Sequence, residues 1–376
     1  MNFLLLPFVL VRKEGLIMKD SVKNAIYCAD TNVITEDGRK TICEVVPGKD
    51  SILVKADNDQ TIHFAPVKAI VPVMLTNEKV VKIEGTYVDL YVPTDTRLYV
   101  CHKKSLTVIQ EKITADDLKA CHVMPLTDYE WQGIDEEIFI LPAVTKKDRR
   151  GNEVVMPEKN IPMGAFCEFV GFYLADGSCN TSCKNGKPNY TVSIKQNVKN
   201  EEYVLNLFRG IGYEPTICRY RDGNNMYYVY DKQLWEYMRK LGKSKTKHIP
   251  KCLKTLSKKY QAKLLEGFIK GDSSKRGEQE YFVSSISKRL MEDLQEVFLK
   301  ATGTMYRVNV VNTKYNALPY RYYAINLNLG DKHARNAHFP EVQEERYSGM
   351  GYAIIFENEG TFLTERNGIL NWCYAN

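Results

Sequence analysis

Phe169-Val170-Gly171-Phe172-Tyr173-Leu174-Ala175-Asp176-Gly177 is matched 96 residues later by Leu265-Glu266-Gly267-Phe268-Ile269-Lys270-Gly271-Asp272-Ser273. In each stretch two small residues stand four apart, Gly171 with Ala175 and Gly267 with Gly271, so they share one helix face and let two backbones approach closely. The spacing predicts a pair of helices packed on those faces. Each helix then ends in an acid, where the macrodipole disfavours negative charge by about 0.3–1 kcal/mol. A divalent cation shared by Asp176 and Asp272 offsets this simply, since carboxylate oxygens suit Mg²⁺ and nucleic-acid phosphates can complete its shell. Many surface helices end in an acid for no such reason; two copies with matched small-residue spacing favour the cation.

The pattern around each helix also recurs. The first round continues through a strand at 190–196 and an amphipathic helix at 201–209, the second through a strand at 281–285 and a helix at 288–300. An internal duplication of about 100 residues accounts for this. Charge follows the same division: residues 161–340 hold 29 Lys and Arg against 16 Asp and Glu, the remainder 23 against 30. A basic middle between acidic flanks favours a polyanionic partner, through phosphate neutralisation and counterion release, over an ordinary solvated lysine surface.

Residues 28–145 alternate or cluster β-branched and aromatic residues between Gly, Asp and Asn turns, which predicts an all-β unit with strands near 32–35, 40–46, 51–55, 61–64, 80–83, 87–92, 98–101 and 137–141. A polar linker is expected over 146–160. After Arg335 the β-like composition returns, so residues 339–376 complete the first unit and residues 161–338 form an insertion in it. The whole is α+β. With 44% hydrophobic and 26% charged residues the chain is globular rather than disordered. Its ten Cys lack a repeated spacing and read as reduced, intracellular thiols, placing the protein in the cytoplasm or nucleoid. The apolar run 2–11 contains Pro7 and is far shorter than the roughly 20 residues a bilayer requires. Cys179 and Cys183 lack zinc-clip spacing, and no Walker-type or dinucleotide-binding fingerprint occurs.

The two nonapeptides resemble the paired motifs of LAGLIDADG homing endonucleases, in the form found inside inteins. Lys247-His248-Ile249-Pro250 resembles that family's Lys-x-Ile-Pro block, and Ser284-Ser285-Ile286-Ser287 with Leu290 and Leu294 the block that follows the second motif. The resemblance implies a monomeric, pseudo-two-fold αββαββα-type domain that cuts both strands of a long, specific DNA site. It assigns Mg²⁺ to Asp176 and Asp272 and a water- or phosphate-polarising role to Lys247. The strands after each helix would form a saddle on DNA whose outward residues read the major groove: Ser193, Lys195, Arg219 and Arg221 in one half, Arg307, Asn309, Arg321 and Tyr323 in the other.

The β-rich flanks resemble the Hint fold of inteins. Cys28-Ala29-Asp30-Thr31-Asn32-Val33 is similar to the N-terminal splicing block, whose first Cys attacks the preceding carbonyl to form a thioester; Gly360 to Gly368 resembles the penultimate block; and Asn376 stands where the cyclising Asn would. The sequence departs from the pattern at Thr96, where a His is expected, and at Ala353 and Ala375 near the C-terminal end. Twenty-seven residues, a host-like leader at 1–27, precede Cys28, and no Cys, Ser or Thr follows Asn376. The expectation is an endonuclease joined to a partly degenerate splicing unit, whose flanks would be host protein. Two alternatives stay open: a nucleic-acid-binding maturase or regulator on the same scaffold, and an autoprocessing element whose endonuclease is inert.

Overall fold

The computed structural model describes residues 25–56, 60–104, 107–119, 121–147, 151–184, 187–315, 318–330, 336–340, 342–358 and 360–375. It is a strand-rich α+β protein with two large hydrophobic cores.

The first core is built from both ends of the chain. Thr361–Arg366 and Ile369–Tyr374 lie side by side within a large sheet, between Asn32–Thr35 and Arg97–Lys104. A four-stranded sheet joins Tyr27–Cys28 and Gln343–Ile355 to Ala69–Glu84 and Asp89–Pro93. The buried Tyr27 hydroxyl donates to the Tyr374 carbonyl oxygen at 2.6 Å, tying the N-terminal strand to the C-terminal one. Residues 163–328 therefore leave and re-enter a unit that neither end completes alone.

The second core lies in a duplicated unit. Helix α1 (Met163–Asp176) leads into strands β1 (Gly177–Lys184) and β2 (Lys187–Asn197), helix α2 (Glu201–Gly210), strands β3 (Thr216–Arg219) and β4 (Asn224–Tyr230), and helix α3 (Lys232–Met238). After the short α4 (Lys251–Lys254), helix α5 (Lys258–Asp272) leads into β5 (Ser273–Lys275), β6 (Glu280–Ser285), helix α6 (Lys288–Thr302), β7 (Asn309–Tyr315) and β8 (Leu318–Asn328). The sheets have orders β1-β2-β4-β3 and β5-β6-β8-β7, the same path in each half, antiparallel throughout. Alternation explains the packing: Val192 and Ile194 of β2, Tyr227 and Val229 of β4, and Ile325 and Leu327 of β8 face the helices, leaving the other face of each sheet open.

Two expectations about boundaries are corrected. The supposed linker at 146–160 is β ribbon: Val144–Lys147 pairs with Glu153–Met156, and Ile138–Leu141 with Lys159–Pro162. Gln233 of α3 pins it by donating to the carbonyl oxygens of Pro142 and Pro157 at 2.9 and 2.8 Å. The strand foreseen at 137–141 belongs to the second core, where Phe139 stacks on Phe166 of α1 with centroids 3.6 Å apart. Its aromatic and aliphatic residues suit either core, and sequence alone does not choose.

Helix α6 joins the two cores. Leu290, Leu294, Val297 and Phe298 lie in the second core while Leu299 lies in the first. Gly303 ends the helix in the left-handed conformation, φ 71°, and a Cβ there would overlap the Tyr129 backbone of the β unit.

Candidate active site

Helices α1 and α5 meet backbone to backbone. A Cβ built on Gly171 would overlap the Leu264 carbonyl of α5, and one on Gly267 the Glu168 carbonyl of α1, so the predicted small-residue faces do lie against each other. Asp176 and Asp272 are the last residues of these helices and stand at the same end of the pair, close enough for the charge on Asp272 to act on Asp176. Gly171→Ala is expected to force the helices apart at a loss of about 1–3 kcal/mol, the usual range for overpacking. Urea unfolding would measure it, and the same displacement would separate the two acids.

Burial, then the charge of Asp272, pushes the Asp176 carboxyl up to about 7, against the opposing effects of Lys247 and a hydrogen bond from Gln196. Asp272 is raised to about 6 by burial, with Lys247 opposing. The Nε2 of Gln196 donates to Asp176 Oδ2 at 2.7 Å. A cavity of about 650 Å³ opens beside the helix ends, with Asp272, Lys247, Lys243, Ser178 and Ser284 in its wall.

Lys247 reaches the end of α1 from the segment between α3 and α4. Its ammonium donates to the carbonyl oxygens of Tyr173, Leu174, Ala175 and Gly177 at 2.8–3.3 Å. Three N–H groups shared among four acceptors leave none spare, so the side chain caps the helix and offsets part of the macrodipole penalty foreseen for Asp176. Burial lowers its pKa to about 8, against the raising effect of Asp176 and Asp272. Lys247→Met would strand these carbonyls and is expected to cost about 1–3 kcal/mol of stability. Chemical denaturation at pH 7 would register that loss, and unchanged stability would argue against the cap.

Of the residues proposed for the DNA saddle, Ser193, Lys195 and Asn309 lie on the open faces. Ser193 is buried there against Ser178, with their hydroxyls 2.9 Å apart. Lys195 is exposed, 3.9 Å from Asp222 and over the Tyr220 ring, and Asn309 stands opposite Ala324. Arg221 is exposed in the turn between β3 and β4. Arg307 is directed to the β unit, donating to the Thr86 carbonyl oxygen at 3.2 Å. Arg219, Arg321 and Tyr323 are corrections: Arg219 turns to Glu201 of α2 at 2.9 Å, Tyr323 packs on the core, and Arg321, two residues away on the same strand face, bonds Asn312. A one-residue error in strand phase exchanges the two faces, and the outward residues of β8 are instead Tyr320, Tyr322 and Asn326.

Cys28 is buried in the strand opposite Gly351, and burial, followed by the charge of Asp30, pushes its thiol up to about 12 against Arg366. Thr96, at the place of the expected His, is buried and donates to the Ile26 carbonyl oxygen at 3.1 Å. Asn376 lies outside the described residues.

Gln196 was not foreseen. Pairing Gly177 with Ile194 across the β1–β2 hairpin places residue 196 beside the end of α1, so the register carried the signal once the hairpin was known. Among the described residues no group of three or more His, Cys, Asp or Glu converges on a metal-sized site. Two carboxylates without further protein ligands suit a cation that keeps water and substrate oxygens in its shell, as Mg²⁺ does.

No family model matches the chain. Over 174 residues, 42% of its length, it is 30% identical to the DNA-directed RNA polymerase subunit beta C-terminal section of Stigeoclonium helveticum, and it spans 15% of that curated relative. Similar solved structures include LAGLIDADG homing endonucleases. I-DmoI in complex with DNA and calcium is 16% identical, with a TM-score of 0.35, over 44% of this chain and 82% of that one. I-WcaI bound to its DNA recognition sequence is 13% identical, with a TM-score of 0.30, over 45% and 77%. The N-terminal LAGLIDADG domain of WhiA is 9% identical, with a TM-score of 0.29, over 43% and 75%.

Proposed function

We propose that this chain is a site-specific, metal-dependent double-strand DNA endonuclease of the LAGLIDADG kind, acting as a monomer inside the cell. The observation that carries the reading is the placement of Asp176 and Asp272 at matching ends of two helices in backbone contact, each helix leading into a sheet of the same strand order. Duplex DNA has local two-fold symmetry, and a protein two-fold matches it. A pair of acids so related presents one to each strand.

A divalent cation, Mg²⁺ in this reading, would be held by Asp176 and Asp272 and would supply Lewis-acid charge at the phosphate and an ionised water. The chain's own groups prepare that site. Gln196 fixes Asp176 through Oδ2 and leaves Oδ1 for the ligand, while Lys247 holds the end of α1 in place. The test is cleavage of a randomised duplex library by the whole chain, in Mg²⁺ and in EDTA, with the coding sequence of an RNA polymerase beta subunit added as a defined duplex because of the curated relative. A single enriched cut that requires Mg²⁺ supports the reading. Tight binding without a cut replaces it with a maturase or regulator, and neither binding nor cutting overturns it.

The β unit we read as a Hint-like splicing unit whose first step is disabled. That step needs a thiolate, and a buried thiol near 12 supplies almost none at neutral pH. Expression with a downstream tail beginning in Cys, followed by mass measurement, should return the intact chain; excision of residues 28–376 would refute the disabled centre.

A further inference from the structure

The open face of the second sheet has an unusual chemistry for a surface meant to meet DNA. In β8 the residues alternating away from the core are Tyr320, Tyr322, Ala324 and Asn326, and Asn309 of β7 stands opposite Ala324 on the same face. Tyr320 and Tyr322 have ring centroids 6.0 Å apart and line the cavity that contains Asp272, so this row runs toward the proposed cutting centre. No Lys or Arg stands in the row. The guanidinium of Arg276 lies at its outer end, over the Phe282 ring and 3.4 Å from Asn326 Oδ1. Some of the middle segment's lysines are paired away from this face, such as Lys254 with Glu296 and Lys263 with Glu266.

Base edges differ in what they offer such a face. Guanine is read mainly by Arg or Lys at O6 and N7, adenine by an Asn or Gln amide, and the C5-methyl of thymine is the apolar feature of the major groove. We infer that the half-site lying on the second sheet is rich in A·T pairs, with thymine methyls against the rings of Tyr320 and Tyr322 and adenine edges against Asn309 and Asn326. This deepens the endonuclease reading and rests on it.

The experiment selects duplexes from a randomised library with the whole chain, then replaces dT by dU in the selected site. Each contacted thymine that loses its methyl should weaken binding about fourfold, the equivalent of one buried methyl group. Y320A with Y322A should flatten the base preference in one half-site only, and Y320F with Y322F should preserve it, because the ring and not the hydroxyl makes the contact. A G·C-rich half-site, dU bound as tightly as dT, or Phe variants as impaired as the Ala variants would each overturn the inference while leaving a selected site, on which cleavage in Mg²⁺ then tests the nuclease reading separately. If no duplex is selected at all, both fall together.

Discussion

If the proposed nuclease reading holds, replacing Asp176 and Asp272 together by Asn is expected to lower cleavage about a thousandfold or more, since the cation they would hold would supply several kcal/mol at the transition state and each 1.36 kcal/mol is tenfold. Duplex binding should hold or tighten, because two negative charges next to phosphates are removed. A parallel loss of binding would mean that the acids are structural. The same residues give a stability signature that needs no substrate. The Asp176 carboxyl stands near 7 in the folded chain against 3.8 as its ordinary value, so the folded state binds more protons than the unfolded one between those limits and stability falls as pH rises through that window. Asp176→Asn removes this penalty: at pH 8 it should stabilise the chain by roughly 1–2 kcal/mol, after discount for solvent screening, and at pH 4 by almost nothing. Asp272, less enclosed at the cavity rim, is raised less, to about 6, and adds a smaller contribution of the same sign. Lys247 and Gln196 face Asp176 and oppose its shift, so a variant of either would raise the transition further. Denaturant melts across pH 4–8 would measure the effect, and a pH-independent difference would refute the raised carboxyl.

What the sequence disclosed about this site was its periodic part. Small residues at i and i+4 followed by an acid can be read without a structure, because helix geometry converts spacing directly into a face. The terminal strands 361–366 and 369–374 were also within reach as β-rich segments, but their position in the middle of the N-terminal sheet is a long-range pairing that no local pattern encodes. Lys247 illustrates a second limit: in sequence it is one lysine among Lys243, Lys245 and Lys251, and only the fold brings it to the carbonyls of α1. Strand phase is a third. The alternation of 320–327 is plain, yet both phases mix aromatic and polar residues, and only the burial of Ile325 and Leu327 in the core gives the open face to Tyr320 and Tyr322 rather than to Arg321 and Tyr323. The basic middle was real as composition, and several of its lysines, such as Lys254 and Lys263, are paired with neighbouring acids.

Glu296→Ala should produce the largest loss of stability of any single change considered, about 3–5 kcal/mol. Glu296 accepts from Lys300 at 2.6 Å and from Lys254 at 3.1 Å, Lys254 also pairs with Asp293 at 3.1 Å, and all four side chains are buried. Two cations and two anions balance. Removing Glu296 leaves two lysines sharing one carboxylate, an uncompensated charge that the interior cannot solvate. Burial already lowers Lys300 to about 8, with Glu296 holding it up, so without Glu296 it should shed its proton more readily. A lysine whose folded pKa is depressed gains stability as pH rises from that value toward its unfolded one; lowering it further starts that gain earlier, so the deficit of the variant should shrink as pH rises toward about 8 and stay level above it. Pairing Glu296→Leu with Lys300→Met keeps Lys254 and Asp293 balanced and should recover most of the loss, as apolar replacements of buried pairs often do. Since Lys300 also lies 4.0 Å from the centroid of the Trp131 ring in the β unit, the melt of Glu296→Ala should move both cores together. Separate transitions for tryptophan fluorescence and helix content would instead mean that α6 joins two units that unfold independently.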